Sequence, residues 1–229
     1  MNPIFCAVDT ADIRGAKGLI QLLKRDVGGF KLGLEFFMAQ GSAGYKSVVP
    51  NGMPVFLDVK LHDIPNTVAG AVTSLLSLQP AFITVHAAGG SAMMRAAAEA
   101  AAEAGERRPK LLAVTVLTSL DSDDLESIGQ GSDTEAQVVR LGKLAIESGM
   151  DGCVCSPGEI LAMRAALGRS PVLMVPGIRP SWAMANDQKR TLTPREACDA
   201  GASYLVIGRP ITKAEDPVEA AKQIVAELN

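Results

Sequence analysis

The sequence predicts a (β/α)8 barrel, or TIM barrel, formed by a single domain that spans residues 1–229. Short apolar segments with strand character alternate eight times with segments of helical periodicity, which is the pattern of a parallel sheet covered by helices. A chain of 229 residues suits eight such units. No linker, low-complexity segment or change of composition divides the chain. An open, doubly wound sheet is the alternative, but eight even units leave no obvious edge strand or switch point.

The predicted strands are short and apolar, and several end in charged residues. They cover 4–9, 30–34, 54–60, 81–86, 111–117, 152–155, 172–176 and 204–208. The predicted helices repeat apolar residues every three or four positions. They cover 11–26, 35–49, 64–78, 91–104, 134–148, 157–167, 194–200 and 217–228. Ser91 is the expected N-cap of its helix, and the acidic segment 121–127 is expected to be a turn.

Composition excludes several classes of protein. The net charge is −3 and no basic stripe is present, so nucleic-acid binding is not expected. No apolar run approaches the roughly 20 residues of a membrane span, and the N-terminus lacks the pattern of a signal peptide. The four cysteines, Cys6, Cys153, Cys155 and Cys198, form no CxxC pair and are expected to be free thiols. We therefore expect a soluble, cytoplasmic protein.

The segment PVFLDVKLHDIPNT, residues 54–67, carries the densest group of charges at a strand end. Asp58 and Lys60 are two positions apart, so a regular strand directs both side chains to one face. Asp9 and Lys31 occupy the first two predicted strands. Because active sites of this fold lie at the C-terminal ends of the strands, these four residues are expected to converge. A purely structural ion-pair network is the alternative, although buried ion pairs stabilise proteins poorly.

Lys60 is the expected centre of the chemistry. Flanking carboxylates favour its protonated form, which suits a proton donor or a group that stabilises negative charge on carbon. A Schiff-base lysine would instead have to lose that proton. Asp63 either joins this site or only caps the following helix. His62 is a further candidate acid or base.

A second group of residues follows the last two predicted strands, where barrels often bind phosphate. Gly177 and Gly208 allow close approach of an anion to the backbone, and Arg209 can bind it through two hydrogen bonds. The long polar segment 177–190 is interpreted as a lid over the phosphate, with an ordinary surface loop as the alternative. The residues thus indicate a phosphorylated small molecule and chemistry that develops negative charge on carbon.

The motifs resemble those of the orotidine 5′-monophosphate decarboxylases. The resemblance spans the chain through AVD, FKLGLEFF, LDVKLHDIPNT, TVLTS, VPGIRP and VIGRPI, in that order. Asp-x-Lys-x-x-Asp is shared with a wider group that includes hexulose-phosphate synthases and ketogulonate-phosphate decarboxylases. The continuation HDIPNT resembles the orotidylate branch specifically.

The resemblance implies conversion of orotidine 5′-monophosphate to UMP without a metal or cofactor, by a homodimer with shared active sites. Lys60 would protonate C6 of the pyrimidine, and Asp58 would lie beside the substrate carboxylate, with Lys31 in the same charged array. Asp63 and Thr67 would reach into the neighbouring subunit's site. The remaining implied contacts are Asp9 and Lys31 with the ribose, Thr118 or Ser119 with the pyrimidine, and Arg179, Gln188, Gly208 and Arg209 with the phosphate.

Two other functions stay open at this point. The first is a Mg²⁺-dependent aldolase or decarboxylase of the same wider group, acting on sugar phosphates. The second is a barrel that binds a phosphorylated ligand without catalysis.

Overall fold

The computed structural model describes residues 2–183 and 191–228, and these form the predicted (β/α)8 barrel. Eight parallel strands close on themselves in chain order, with the last strand paired to the first. The strands are β1 Ile4–Ala7, β2 Gly29–Gly33, β3 Val55–Leu61, β4 Phe82–His86, β5 Lys110–Val114, β6 Gly152–Val154, β7 Val172–Pro176 and β8 Tyr204–Ile207. An open doubly wound sheet is thereby excluded.

A helix follows each strand and covers the outside of the barrel. The α-helices found in the described ranges are α1 Ile13–Leu23, α2 Leu34–Val48, α3 Pro65–Leu76, α4 Gly90–Ala102, α5 Ser122–Ser127, α6 Thr134–Glu147, α7 Ile160–Leu167, α8 Pro194–Ala200, α9 Arg209–Thr212 and α10 Pro217–Ala226. Among them, none is both long and apolar enough to span a membrane.

Local hydrogen bonds explain where the helices depart from the sequence predictions. The expected N-cap Ser91 is wrong: α4 already begins at Gly90, its N-cap is Gly89, and no side chain caps it. The predicted acidic turn instead contains α5, because Asp121 and Asp124 form a reciprocal capping box that satisfies the first backbone N–H groups. Helix α2 is kinked at Gly41, whose φ of 60° lies in the left-handed region.

Two apolar clusters hold the barrel together. The larger one lies between the strands and the surrounding helices. The smaller one fills the barrel interior with Phe5, Phe56, Phe82, Leu112, Met174 and their neighbours. The rings of Phe5 and Phe82 meet edge to face, with centroids 5.7 Å apart. The barrel interior is therefore a packed core and not a channel.

Candidate active site

A cavity of about 340 Å³ opens at the C-terminal ends of the strands, where this fold places active sites. Its polar lining combines the predicted charged residues of β1–β3 with those that follow β7 and β8: Asp9, Lys31, Asp58, Lys60, Thr118, Arg179, Gly208 and Arg209. Its apolar wall includes Val114, Val116, Val154, Cys155, Pro176 and Ile178. The cavity therefore combines charged groups with apolar side chains.

Lys60 and Asp58 form an ion pair on the floor of this cavity. The Lys60 Nζ lies 2.7 Å from the Asp58 Oδ2. Both residues line the cavity, and the Asp58 side chain is only 12% exposed, whereas that of Lys60 is 29% exposed. The two residues meet as the sequence predicted, with the carboxylate buried beneath the ammonium group.

The backbone that brings them together is not a regular strand. Leu57 pairs with Ile83 and Leu61 with Val85, so three residues of β3 lie opposite Thr84 alone. This bulge places Lys60 at a φ of 48°, a left-handed conformation that is uncommon for residues other than glycine. The prediction that Asp58 and Lys60 lie together is therefore right, but the regular strand from which it was made is wrong at this point.

Thr84 is a site residue that the sequence analysis missed. Its side chain is fully buried, and its Oγ1 accepts a hydrogen bond of 2.8 Å from the Lys60 backbone N–H. The same hydroxyl donates to the Asp58 Oδ1 over 2.9 Å. The strand sequence FITVH gives no indication of this contact, because the partner Asp58 lies 26 residues earlier in the chain.

Lys31 forms the second ion pair of the cavity, with Asp9 rather than with Asp58. Its Nζ lies 2.6 Å from the Asp9 Oδ1. Here the lysine side chain is 12% exposed and the carboxylate 56% exposed. The absence of a side chain at Gly33 leaves room for this contact, since an ideal Cβ there would lie 3.0 Å from the Lys31 Nζ.

Two guanidinium groups also line the cavity. Arg179 follows β7, and Arg209 begins α9 immediately after Gly208. Neither arginine forms an ion pair with a carboxylate in the parts of the chain that the structure describes. The predicted phosphate residue Gln188 lies outside the described residues, as does much of the predicted lid.

The beginning of the predicted lid is attached to the C-terminal part of the chain. The Ser181 backbone N–H and hydroxyl both donate hydrogen bonds to the Glu227 carboxylate, the latter over 2.8 Å to Oε1. Trp182, next to this contact, is 48% exposed. Ser181 is thus anchored to the residue that follows α10.

Several predicted residues do not line the cavity of their own chain. Asp63, Thr67 and Ser119 are exposed and lie outside its lining. The Asp63 Oδ1 accepts a hydrogen bond of 2.6 Å from the Ile64 backbone N–H, just before α3 begins. The N-cap of α3 is Ile64 and no side chain caps this helix, so the interpretation of Asp63 as its cap is wrong. The Asp63 side chain is exposed.

His62 also lies outside the cavity lining, stacked against His86 with ring centroids 5.2 Å apart. Burial lowers the pKa of His86 below its ordinary value of 6.5, and the neighbouring His62 and Lys60 lower this pKa further. The neutral form of His86 is therefore favoured in the folded protein.

The cysteines are unpaired, as the sequence predicted. Cys6, Cys153 and Cys155 are buried, and Cys198 is partly exposed. Burial raises the pKa of Cys6 and of Cys153 to about 12. These thiols are consequently poor nucleophiles and serve as small core residues.

Comparison with known proteins identifies relatives over the whole length. The model of the orotidine 5′-phosphate decarboxylase / HUMPS family matches residues 2–224. The orotidine 5′-phosphate decarboxylase of Paramagnetospirillum magneticum is 53% identical over 232 residues, which cover 100% of this chain and 99% of the relative. The enzyme of the same name from Rhodospirillum rubrum is 52% identical, with 99% of this chain and 94% of the relative covered.

A solved structure shows the same likeness in three dimensions. The orotidine 5′-phosphate decarboxylase of Lactobacillus acidophilus superposes with a TM-score of 0.88. It is 36% identical in sequence, and the superposition covers 100% of both chains.

Proposed function

Because the chain belongs to the orotidine 5′-phosphate decarboxylase / HUMPS family, we propose that it converts orotidine 5′-monophosphate to UMP and carbon dioxide. We assign the chemistry to its own side chains, without a metal or an organic cofactor. The observation that carries this proposal is the Lys60–Asp58 ion pair at the cavity floor. The relatives named above, about half identical over their full length, support the same substrate.

In the proposed reaction the bond between C6 of the pyrimidine and its carboxylate breaks, and the electron pair stays on C6. The Lys60 ammonium then transfers a proton to C6, and solvent later reprotonates the amine. Before that transfer, its positive charge stabilises the developing carbanion, which is worth most in a water-excluded site. Its ion pair with the buried Asp58 supports this role, because the contact holds the ammonium group in place within the cavity.

Asp58 is proposed to lie beside the carboxylate that the substrate loses. Repulsion between like charges would raise the energy of the bound substrate, and departure of carbon dioxide would relieve it. We assign the larger effect to Lys60, since carbanion stabilisation acts directly on the transition state. Lys31 and Asp9 are proposed to bind the ribose, and Thr118 or Ser119 the pyrimidine.

The phosphate is proposed to bind between the two arginines of the cavity. Arg179 and Arg209 both line it and are available for an anion in the described part of the structure. Gly208, which precedes Arg209, has no side chain, so the phosphate can approach its backbone closely. Gln188 is proposed to close over the bound phosphate. Binding energy from this remote group would organise the site for a step that takes place at C6.

The substrate assignment is tested by following the ultraviolet absorbance of orotidine 5′-monophosphate mixed with the purified protein. We expect substrate loss and UMP formation without added metal, and an unchanged rate after treatment with EDTA. A rate that EDTA abolishes would favour the metal-dependent sugar-phosphate enzymes of the wider group. UMP binding without any turnover would favour a non-catalytic ligand-binding barrel.

We further propose that the active enzyme is a homodimer in which Asp63 and Thr67 complete the partner's site. The exposure of both residues at the cavity end of the barrel supports this, as does their absence from the cavity of their own chain. Exposed Ile64, between them, offers an apolar contact for a second subunit.

Subunit mixing tests the shared site. Lys60→Ala and Asp63→Ala are each expected to be nearly inactive alone, whereas a refolded equal mixture should recover about a quarter of wild-type activity. The recovery arises because one of the two sites in each mixed dimer carries neither substitution. A mixture no more active than the sum of its parts would contradict the shared site while leaving the substrate assignment intact.

A further inference from the structure

Thr84 occupies a position that the chemistry described so far does not explain. It lies in the middle of β4, on a buried strand, and its side chain has no exposed surface. A buried hydroxyl is stable only when its hydrogen bonds are satisfied. Both partners of this hydroxyl belong to the Lys60–Asp58 pair.

The direction of these hydrogen bonds is determined by the donor at Lys60. A backbone N–H can only donate, so the Thr84 Oγ1 accepts from Lys60 and its own proton is left for Asp58. The Asp58 Oδ1 therefore receives the hydroxyl and the Oδ2 receives the Lys60 ammonium. One side chain thus sets both the rotation of the carboxylate and the oxygen that meets the lysine.

The same hydroxyl also supports the unusual backbone of Lys60. The bulge removes Lys60 from the regular β3–β4 ladder, and the Thr84 hydroxyl takes the place of a strand carbonyl as acceptor for its N–H. A left-handed conformation at a residue with a side chain persists only where its surroundings hold it. Thr84 supplies that restraint from the neighbouring strand.

We propose that Thr84 is a positioning residue for the decarboxylation, which holds the strained Lys60 backbone and the Asp58 carboxylate in one fixed arrangement. The proposal rests on the proposed function, because its kinetic consequence concerns the reaction assigned to Lys60. Thr84 lies outside the cavity lining, and its hydroxyl bonds to Lys60 and Asp58, so it is expected to act through these two residues.

Thr84→Val tests this role, because valine nearly matches threonine in shape and removes only the hydroxyl. We expect kcat to fall about 10- to 100-fold, since the variant leaves a buried donor and a buried acceptor unpaired. KM should change much less, because the groups that bind the ribose and phosphate remain. Thr84→Ser restores the hydroxyl and should recover most of kcat.

Thr115→Val is the matched control. Thr115 is also buried, but its hydroxyl donates to the Val154 backbone carbonyl over 3.1 Å, and the hydrogen bonds found among the described residues do not join it to Asp58 or Lys60. Its replacement removes the same atom from the adjoining β5–β6 region. We expect reduced thermal stability with kcat unchanged. A kcat of Thr84→Val equal to the wild type, or equal losses in both valine variants, would overturn the proposal.

Amide hydrogen exchange gives a second measurement that needs no substrate. The Lys60 amide should exchange slowly in the wild type, Thr84→Ser and Thr115→Val, and at least about 10-fold faster in Thr84→Val. Rapid exchange in the wild type would refute the hydrogen bond even if the valine variant failed to fold. If the wild type does not decarboxylate orotidine 5′-monophosphate, the proposed function fails, whereas the exchange result still decides whether Thr84 restrains Lys60.

Discussion

The two ion pairs of the cavity have the same chemistry but opposite burial. In the Lys60–Asp58 pair the carboxylate is 12% exposed and is held by a second hydrogen bond from Thr84. In the Lys31–Asp9 pair the carboxylate is 56% exposed, and among the described residues Lys31 is the only hydrogen-bond partner of the Asp9 side chain. The Asp58 carboxylate is thus held by both Thr84 and Lys60, whereas the exposed Asp9 carboxylate has room to adjust its position.

This difference separates two tasks. A group that meets a carbanion must be held within a fraction of an ångström, because electrostatic stabilisation depends on preorganised charges. A group that binds the hydroxyl groups of a ribose can shift when the substrate binds, with little effect on kcat. We therefore expect substitutions in the Lys60–Asp58 pair to act on kcat, and those in the Lys31–Asp9 pair to act mainly on KM.

The largest effect is expected for Lys60→Ala. Loss of both the proton donor and the nearby positive charge should reduce kcat by about 10⁴-fold or more. Steady-state and single-turnover assays measure it, with Lys31→Ala as the matched removal of an ammonium group. Substantial turnover by Lys60→Ala would rule out its role as proton donor and would remove the distinction between the two pairs.

The carboxylates give the next largest difference. Asp58→Asn should lower kcat by roughly 100-fold and destabilise the protein by about 1–3 kcal/mol, because a buried charged acceptor of two hydrogen bonds is lost. Asp9→Asn should change stability by less than about 1 kcal/mol, as for other exposed ion pairs. Kinetic assays and urea denaturation of the two variants would show whether burial decides the outcome; equal effects would argue against it.

Arg209 differs from Lys31 and Lys60 because it forms no ion pair with a carboxylate among the described residues. Arg209→Ala should raise KM about 10- to 100-fold through the lost charged hydrogen bonds to phosphate. Turnover at saturating substrate should persist, because the Lys60–Asp58 pair is untouched. Titration with UMP should show a matching loss of affinity; unchanged UMP binding would remove Arg209 from the phosphate site.

Gly33→Ala disturbs the Lys31–Asp9 pair without changing its charges. The new Cβ would lie 3.0 Å from the Lys31 Nζ and 3.4 Å from the Asp9 Oδ1, so the flexible end of the lysine must shift. We expect KM to rise by only about 10-fold or less, since losing one hydrogen bond costs about 1 kcal/mol. Gly18→Ala in α1, with open space around the added methyl group, should leave the kinetics unchanged.

The smallest expected effect is a dependence of stability on pH, which arises from His86 near the Lys60–Asp58 pair. Because the pKa of His86 is lowered in the folded protein, the unfolded chain binds a proton near pH 6.5 that the folded chain does not. The contribution of neutral His86 to the free energy of unfolding is therefore complete above pH 6.5. It is lost as the pH falls towards the lowered pKa of His86 in the folded protein. Urea denaturation should show a loss of about 1 kcal/mol between pH 7.5 and 5.5, and His86→Asn should reduce that loss.

The barrel and the location of its site were predictable from local patterns. Apolar strands and periodic helices follow from the burial of one face of each element, so the eight units could be counted in the chain. The end of each strand was predicted within a few residues, which placed Asp9, Lys31, Asp58 and Lys60 at one mouth. Residues Asp121 and Asp124 carried a local capping signal for α5, which the sequence analysis read as a turn.

The sequence by itself determined the fold class and the types of charged group at the cavity. Only the tertiary structure decided that Lys31 pairs with Asp9, that β3 bulges at Lys60, and that Thr84 holds both Lys60 and Asp58. The physical reason is the distance along the chain over which these contacts form. Periodicity reports which face of one element is buried, whereas the partner of a buried hydroxyl depends on the register between two strands.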